Sequence, residues 1–193
     1  MTGVPRLPDR DALERARDAT IDDVLPGPED PPLRVLFCGI NPGLVSAATG
    51  HHFARPGNRF WPVLHESGFT PRLLRPAEQG ELARLGLGIT NMAPRATARA
   101  DELTDAELVA GGQRLRTLVT EREPRWLAVV GIGAYRTAFG RRDAAVGEQE
   151  ERLGTTGVWV LPNPSGLNAH WSRPAMAAEF ARLRVRAPGI HGR

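Results

Sequence analysis

The sequence predicts an α/β fold, a mostly parallel central sheet sandwiched between two layers of helices. Short apolar runs recur at Leu33–Gly39, Leu87–Thr90, Trp126–Gly131 and Val158–Leu161. Each has the length of a strand but lacks the alternation of a half-solvated one, which is how strands buried on both faces read. Between them lie helix-like segments at about Asn58–Ser67, Thr104–Glu121, Ala134–Phe139 and Ser172–Val185. Several space their apolar residues three or four apart, as Leu108, Leu115 and Leu118 do. Strands alternating with helices imply parallel pairing, and ligands in such folds gather beyond the carboxyl ends of the strands. That rule selects the loops at 39–58 and 162–171.

Taken in order, residues 1–32 are rich in proline and acid, with one expected helix near Asp9–Ala19 and then Pro26-Gly27-Pro28 and Pro31-Pro32. This composition disfavours regular packing and predicts a peripheral arm. Residues 33–186 form the expected domain, and 187–193 a C-terminal tail. With 193 residues, 41% hydrophobic and 24% charged, the chain is sized for one domain with a full core. No run approaches the ~18 apolar residues of a membrane span. Acids at Asp9, Asp11 and Glu14 break the basic-then-apolar order of a signal peptide, so a cytoplasmic protein with no membrane partner is expected. The single cysteine, Cys38, excludes an internal disulfide or a cysteine metal cluster and reads as a small buried residue.

Charge is unevenly distributed. Residues 1–30 hold eight acids against four arginines, whereas the rest of the chain holds 21 arginines against 14 acids. All 25 basic residues are arginine. Forked guanidinium donors suit phosphate, although an excess of this size also occurs on proteins that never meet nucleic acid. The absence of lysine excludes a lysine Schiff-base nucleophile.

Two loops have the residues for chemistry. Gly39-Ile40-Asn41-Pro42-Gly43 directly follows the first strand, so its amides should point into the crevice above the sheet along a path set by two glycines and a proline. Asn41 alone would read as a structural asparagine satisfying loop backbone. Leu161-Pro162-Asn163-Pro164-Ser165-Gly166-Leu167-Asn168 follows the last strand and repeats the recipe, with one leucine at its tip. Such a leucine either folds back onto the core or enters a base stack as a wedge.

The stretch VLFCGINPGLVSAATGHHFARPGNRFW from Val35 to Trp61, with Gly88-Ile89-Thr90-Asn91-Met92, Gly111-Gly112 and Asn163-Pro164-Ser165-Gly166-Leu167, resembles the mismatch-specific uracil-DNA glycosylase and thymine-DNA glycosylase family. The resemblance runs in order from about Leu33 to Val185. It implies a three-layer α/β/α fold of the uracil-DNA glycosylase superfamily, acting as a monomer on double-stranded DNA without metal or organic cofactor. It further implies excision of uracil, thymine or a related base mispaired with guanine, after the nucleotide is rotated out of the stack. By resemblance, Asn41 positions the attacking water, with Gly39, Ile40 and Gly43 around the base. Phe53 stacks on the flipped pyrimidine, and Ser46 lines the same pocket. Asn163 faces the nucleotide from the opposite side. Gly166, Leu167 and Asn168 form the wedge, and with Ser165 they contact DNA, joined by His170 where a bacterial relative has arginine. Asn91 departs from the lysine common in bacterial uracil-type members and matches the thymine-type branch. Its amide offers both a donor and an acceptor to a pyrimidine edge.

Other signals are discounted. His51-His52 lacks a spaced third ligand, so no metal is expected. Gly131-Ile132-Gly133 opens like a dinucleotide loop, but Arg136 occupies the third glycine's place. Arg182, Arg184 and Arg186 read as a solvated helix face. Asn58 reads as a helix cap, and Phe60 and Trp61 as core. Two rival functions stand beside the glycosylase: a non-catalytic module binding mismatches or abasic sites, and a nucleotide-binding enzyme using Gly39–Gly43 as an anion loop.

Overall fold

Five strands, β1 (Val35–Gly39), β2 (Leu87–Asn91), β3 (Trp126–Val130), β4 (Gly147–Leu153) and β5 (Thr156–Leu161), form one sheet in the order β2-β1-β3-β5-β4 in this computed structural model. Residues 7–188 are described; residues 1–6 of the expected arm and 189–193 of the expected tail lie outside them. β1, β2, β3 and β5 run parallel, and β4 closes one edge antiparallel to β5. The α/β prediction therefore holds, with the parallel strands where the apolar runs placed them.

Side chains alternate across the sheet as the pleat requires. Val35, Phe37, Trp126, Ala128, Val130, Trp159 and Leu161 face one helical layer, and Leu36, Cys38, Leu127, Val129, Val158 and Val160 face the other. The first layer contains α3 (Phe60–Glu66) and α6 (Arg173–Arg186), the second α4 (Asp105–Arg122) and α5 (Ile132–Phe139). At the centre of the first layer Phe37 meets Phe60 and Phe69 edge-on at 5.5 and 5.3 Å and stacks on Phe180 at 6.0 Å. Burying each such ring contributes about 1.5–3 kcal/mol. α4 starts at a capping box in which Thr104 Oγ1 accepts from Glu107 N–H and Glu107 Oε2 accepts from Thr104 N–H. Its Gly111 and Gly112 let it approach Met92 and Ala138, since a Cβ on Gly111 would lie 2.2 Å from Met92 O.

The structure adds elements that the sequence reading lacked. β4, of sequence GEQEERL, exposes alternate side chains and buries only Gly147, as suits a charged edge strand. Inside the 39–58 loop sits α2 (Leu44–Thr49), and a 3-10 helix spans Pro76–Leu85. The expected N-terminal helix is shorter than expected, α1 (Arg10–Arg15). The segment after it does not hang free. Val24 N–H donates to Ile89 O and Ile89 N–H to Val24 O, both at 2.8 Å, which covers the β2 edge. Asp18 N–H donates to Ala96 O at 3.0 Å and Ala96 N–H to Ala19 O at 2.8 Å. On the helix face Arg182, Arg184 and Arg186, the first and last are exposed as expected and pair with Glu179 and Glu148, whereas Arg184 is half-buried and its Nε donates to Ser67 O.

Candidate active site

The chain leaves β1 toward β2 on one side while β3 lies on the other, and a cleft of about 590 Å³ opens above the carboxyl ends of these strands. That is the topological switch point at which open α/β sheets bind ligands. Ile40, Asn41, Gly43, Ser46, Phe53, Asn91, Asn163, Ser165 and Leu167 all line it, so both predicted loops meet in one place. Ile40 packs against Gly131 at the start of α5, where a Cβ would lie 3.1 Å from the isoleucine Cδ1. Gly131 thus makes room for the first loop.

The Asn41 carboxamide has a fixed orientation. Its Nδ2 donates to Arg95 O at 3.0 Å and to Thr97 Oγ1 at 2.7 Å. A carbonyl only accepts, so the amide nitrogen must face Arg95 and the amide oxygen is turned away from it. Thr97 donates its own proton to Arg99 O at 2.7 Å, leaving its oxygen to accept. The 95–97 segment is itself anchored. Arg95 forms a fork with Glu107, holding that carboxyl down at about 2 chiefly through the hydrogen bond, and also pairs with Asp18 at 3.1 Å. The N-terminal segment therefore braces the residues that hold Asn41.

Asn91 is Gly39's register partner across the β1–β2 ladder, and its side chain turns over that glycine. A Cβ on Gly39 would lie 2.7 Å from Asn91 Oδ1 and 3.3 Å from Phe53 Cζ, so glycine is required for both groups to reach the pocket. Asn91 is buried, with Nδ2 3.3 Å from His52 Nδ1. His52 Nε2 lies 2.9 Å from Asp22 O, again an acceptor only, so Nε2 bears the proton and Nδ1 accepts from Asn91. Burial holds the imidazole below its ordinary value of 6.5, which keeps it neutral for this role. Arg114 donates to Asn91 O from the other side.

Phe53 stacks on Phe60 with centroids 4.0 Å apart and planes at 18°. Its φ of 54° lies in the left-handed region, uncommon for a bulky residue and held by its neighbours. His52 N–H donates to Gln79 Oε1 at 2.7 Å, and Ala54 N–H to Ser46 Oγ at 3.2 Å. Ser46 is buried, with its oxygen engaged there. Asn58 Oδ1 accepts from Phe60 N–H at 2.9 Å at the start of α3.

The second loop is built from local turns. Ser165 N–H donates to Asn163 Oδ1, Asn168 Nδ2 to Asn163 O and His170 N–H to Asn168 Oδ1, at 3.0, 2.9 and 3.0 Å. Leu167 does not fold back: it is 76% exposed at the rim of the cleft. Gly166, Asn168 and His170 share its loop without lining the cleft, and His170 is exposed.

Sequence reasoning missed His52, Thr97 and Ile21, which line the cleft, and Arg95, whose carbonyl holds Asn41. The doublet before Phe53 was a signal for His52 once metal was discarded; Thr97 and Arg95 carried none. Among the described residues no cluster of three or more His, Cys, Asp or Glu is placed to hold a metal, and no helix is long and apolar enough to cross a membrane. The one carboxylate among the described residues lining the cleft, Asp101, is exposed and paired with Arg99. A family model, that of the uracil DNA glycosylase superfamily, matches residues 26–184, from just after the Val24 edge bridge nearly to the end of α6. With most of its length matched and its two loops meeting at the switch point, the chain belongs to the uracil DNA glycosylase superfamily, whose members are DNA glycosylases.

Proposed function

We propose that this protein is a monomeric, monofunctional DNA glycosylase of the mismatch-specific uracil and thymine type, releasing uracil, thymine or a related base opposite guanine in double-stranded DNA. The observation that carries the reading is the fixed Asn41 carboxamide, with its nitrogen committed to Arg95 O and Thr97 Oγ1 on the cleft wall. Its oxygen then accepts a hydrogen bond from a water and aims a lone pair of that water at the anomeric carbon. A carboxamide takes up no proton, so the N-glycosidic bond breaks largely dissociatively: its electron pair leaves with the base as an anion, water adds to the sugar cation, and the proton the water loses passes to the departed base anion.

The flipped pyrimidine stacks on the face of Phe53 that Phe60 leaves open. Asn91, steadied by neutral His52, presents its amide to the pyrimidine edge. Asn163 borders the nucleotide opposite Phe53, and Leu167 fills the space the base vacates, within the DNA-contacting set Ser165, Gly166, Leu167, Asn168 and His170. An asparagine at 91 favours a substrate range reaching beyond uracil to thymine. The test is a panel of matched, mismatched and single-stranded oligonucleotides carrying uracil or thymine, treated with protein and then alkali. Alkali-labile breaks at uracil opposite guanine support the reading, whereas tight binding without breaks favours a non-catalytic mismatch-binding module.

A further inference from the structure

Arg59 ends the Pro56-Gly57-Asn58-Arg59 turn before α3, far in sequence from the 162–171 loop, yet it holds that loop from beneath. Its guanidinium donates to three backbone carbonyls: Nη1 to Trp171 O at 2.6 Å, and Nη2 to Ser165 O at 2.6 Å and Asn168 O at 2.9 Å. Arg59 N–H adds a fourth bond, to Pro164 O at 2.9 Å. The Nε is buried without a partner, and the hydrogen bonds the guanidinium makes among the described residues all go to this loop. The loop sits against the same turn at Gly166, where a Cβ would lie 2.7 Å from Gly57 O.

The loop's own bonds connect residues no more than five apart, which shapes turns but does not fix the loop to the domain. Arg59 supplies that attachment. A planar fork is suited to carbonyls spread over residues 165–171, whereas a lysine ammonium acts as a point charge on a flexible stem. An exposed leucine displaces a stacked base more readily when the loop behind it is already ordered, since ordering backbone on binding opposes association.

We propose that Arg59 is a positioning residue that presets the Leu167 loop for opening duplex DNA. The proposal rests on the glycosylase reading above. It predicts that Arg59 matters when a base must be taken from a stack and hardly matters when the base is already free. The variants are Arg59→Ala and Arg59→Lys, and the probes are two oligonucleotides with the same uracil strand, one pairing uracil opposite guanine and the other leaving it in an unpaired bulge. Single-turnover rates should fall about ten- to hundredfold for Arg59→Ala on the paired duplex, the span expected for lost charge-assisted hydrogen bonds. On the bulge they should stay within about threefold. Arg59→Lys should fall between, and it carries the comparison if the alanine variant does not fold. Hydrogen exchange should quicken at 163–171 while the amides of β1 and β3 keep their protection. Equal losses on both substrates, no loss on either, or unchanged exchange at 163–171 would overturn the proposal. Failure of the glycosylase reading is distinguishable, because the unsubstituted protein would then be inactive on both substrates and exchange alone would decide whether Arg59 holds the loop.

Discussion

The Asn41 carboxamide donates to Thr97 Oγ1 across 2.7 Å, and Thr97 donates its own hydroxyl proton to Arg99 O at the same distance. The two residues lie on different loops, and their bond fixes which end of the amide faces the cleft. Thr97→Val keeps the shape and removes the acceptor, leaving Arg95 O as Asn41's partner. A net hydrogen bond of about 0.5–1.5 kcal/mol translates to about a three- to tenfold loss in single-turnover rate, restored by Thr97→Ser. The thermal midpoint should fall by several degrees as well, because the buried Thr97 hydroxyl also donates to Arg99 O, and Thr97→Ser should restore it.

Gly39→Ala places a Cβ 2.7 Å from Asn91 Oδ1 and 3.3 Å from Phe53 Cζ. One of the two must move, and both line the cleft. With about 1–3 kcal/mol of overpacking concentrated in the pocket, base release should slow about ten- to hundredfold. A variant releasing base at the unsubstituted rate would show that neither side chain needs its observed place.

His52 gives the site an acid limit. Its folded-state pKa lies below 6.5 because burial disfavours the charged ring, with the Asp22 carbonyl opposing and the Asp23 and His51 charges adding smaller effects. The unfolded chain therefore binds the proton first as the pH drops. Stability from neutral His52 is fully present above pH 6.5 and is lost as the pH falls toward the lower folded value. A protonated Nδ1 can no longer accept from Asn91, so base release by the folded protein should fall as the pH drops through the folded-state value, at the lower end of that window. A glutamine offers one donor and one acceptor without titrating, so His52→Gln should flatten that limb in rates measured from about pH 5 to about pH 8.

Gly111→Ala tests the close approach of α4. Helix propensity alone favours alanine by about 1 kcal/mol. The added Cβ, however, would lie 2.2 Å from Met92 O and 2.8 Å from its carbonyl carbon, directly after Asn91. We expect net destabilisation of about 1–3 kcal/mol in urea unfolding, opposite in sign to propensity.

β1, β3 and β5 were legible because each is apolar on both faces, β2 because Leu87 and Ile89 make one apolar face between glycines, and the two loops because they follow β1 and β5 directly. β4 was not, since Glu148, Glu150 and Arg152 carry no apolar face and the strand is held by backbone pairing to β5. α2 hid in a short run between two glycines, Gly43 and Gly50. Composition marked the N-terminal segment as peripheral, yet Val24 docks it through its own N–H and C=O, which every non-proline residue has. Thr97 and Arg59 act on partners 56 and up to 112 positions away, several of them backbone carbonyls, and no local pattern encodes such contacts.

In the proposed reaction Asn41 places the water that replaces the base. The direct measurement is the single-turnover release of uracil from a duplex with uracil opposite guanine, for the unsubstituted protein and Asn41→Ala, with binding to the same duplex measured in parallel. The unsubstituted protein should give alkali-labile product, Asn41→Ala should release uracil about a hundredfold or more slower, and its binding should be retained within a few-fold. An Asn41→Ala protein that releases uracil at the full rate would contradict that role.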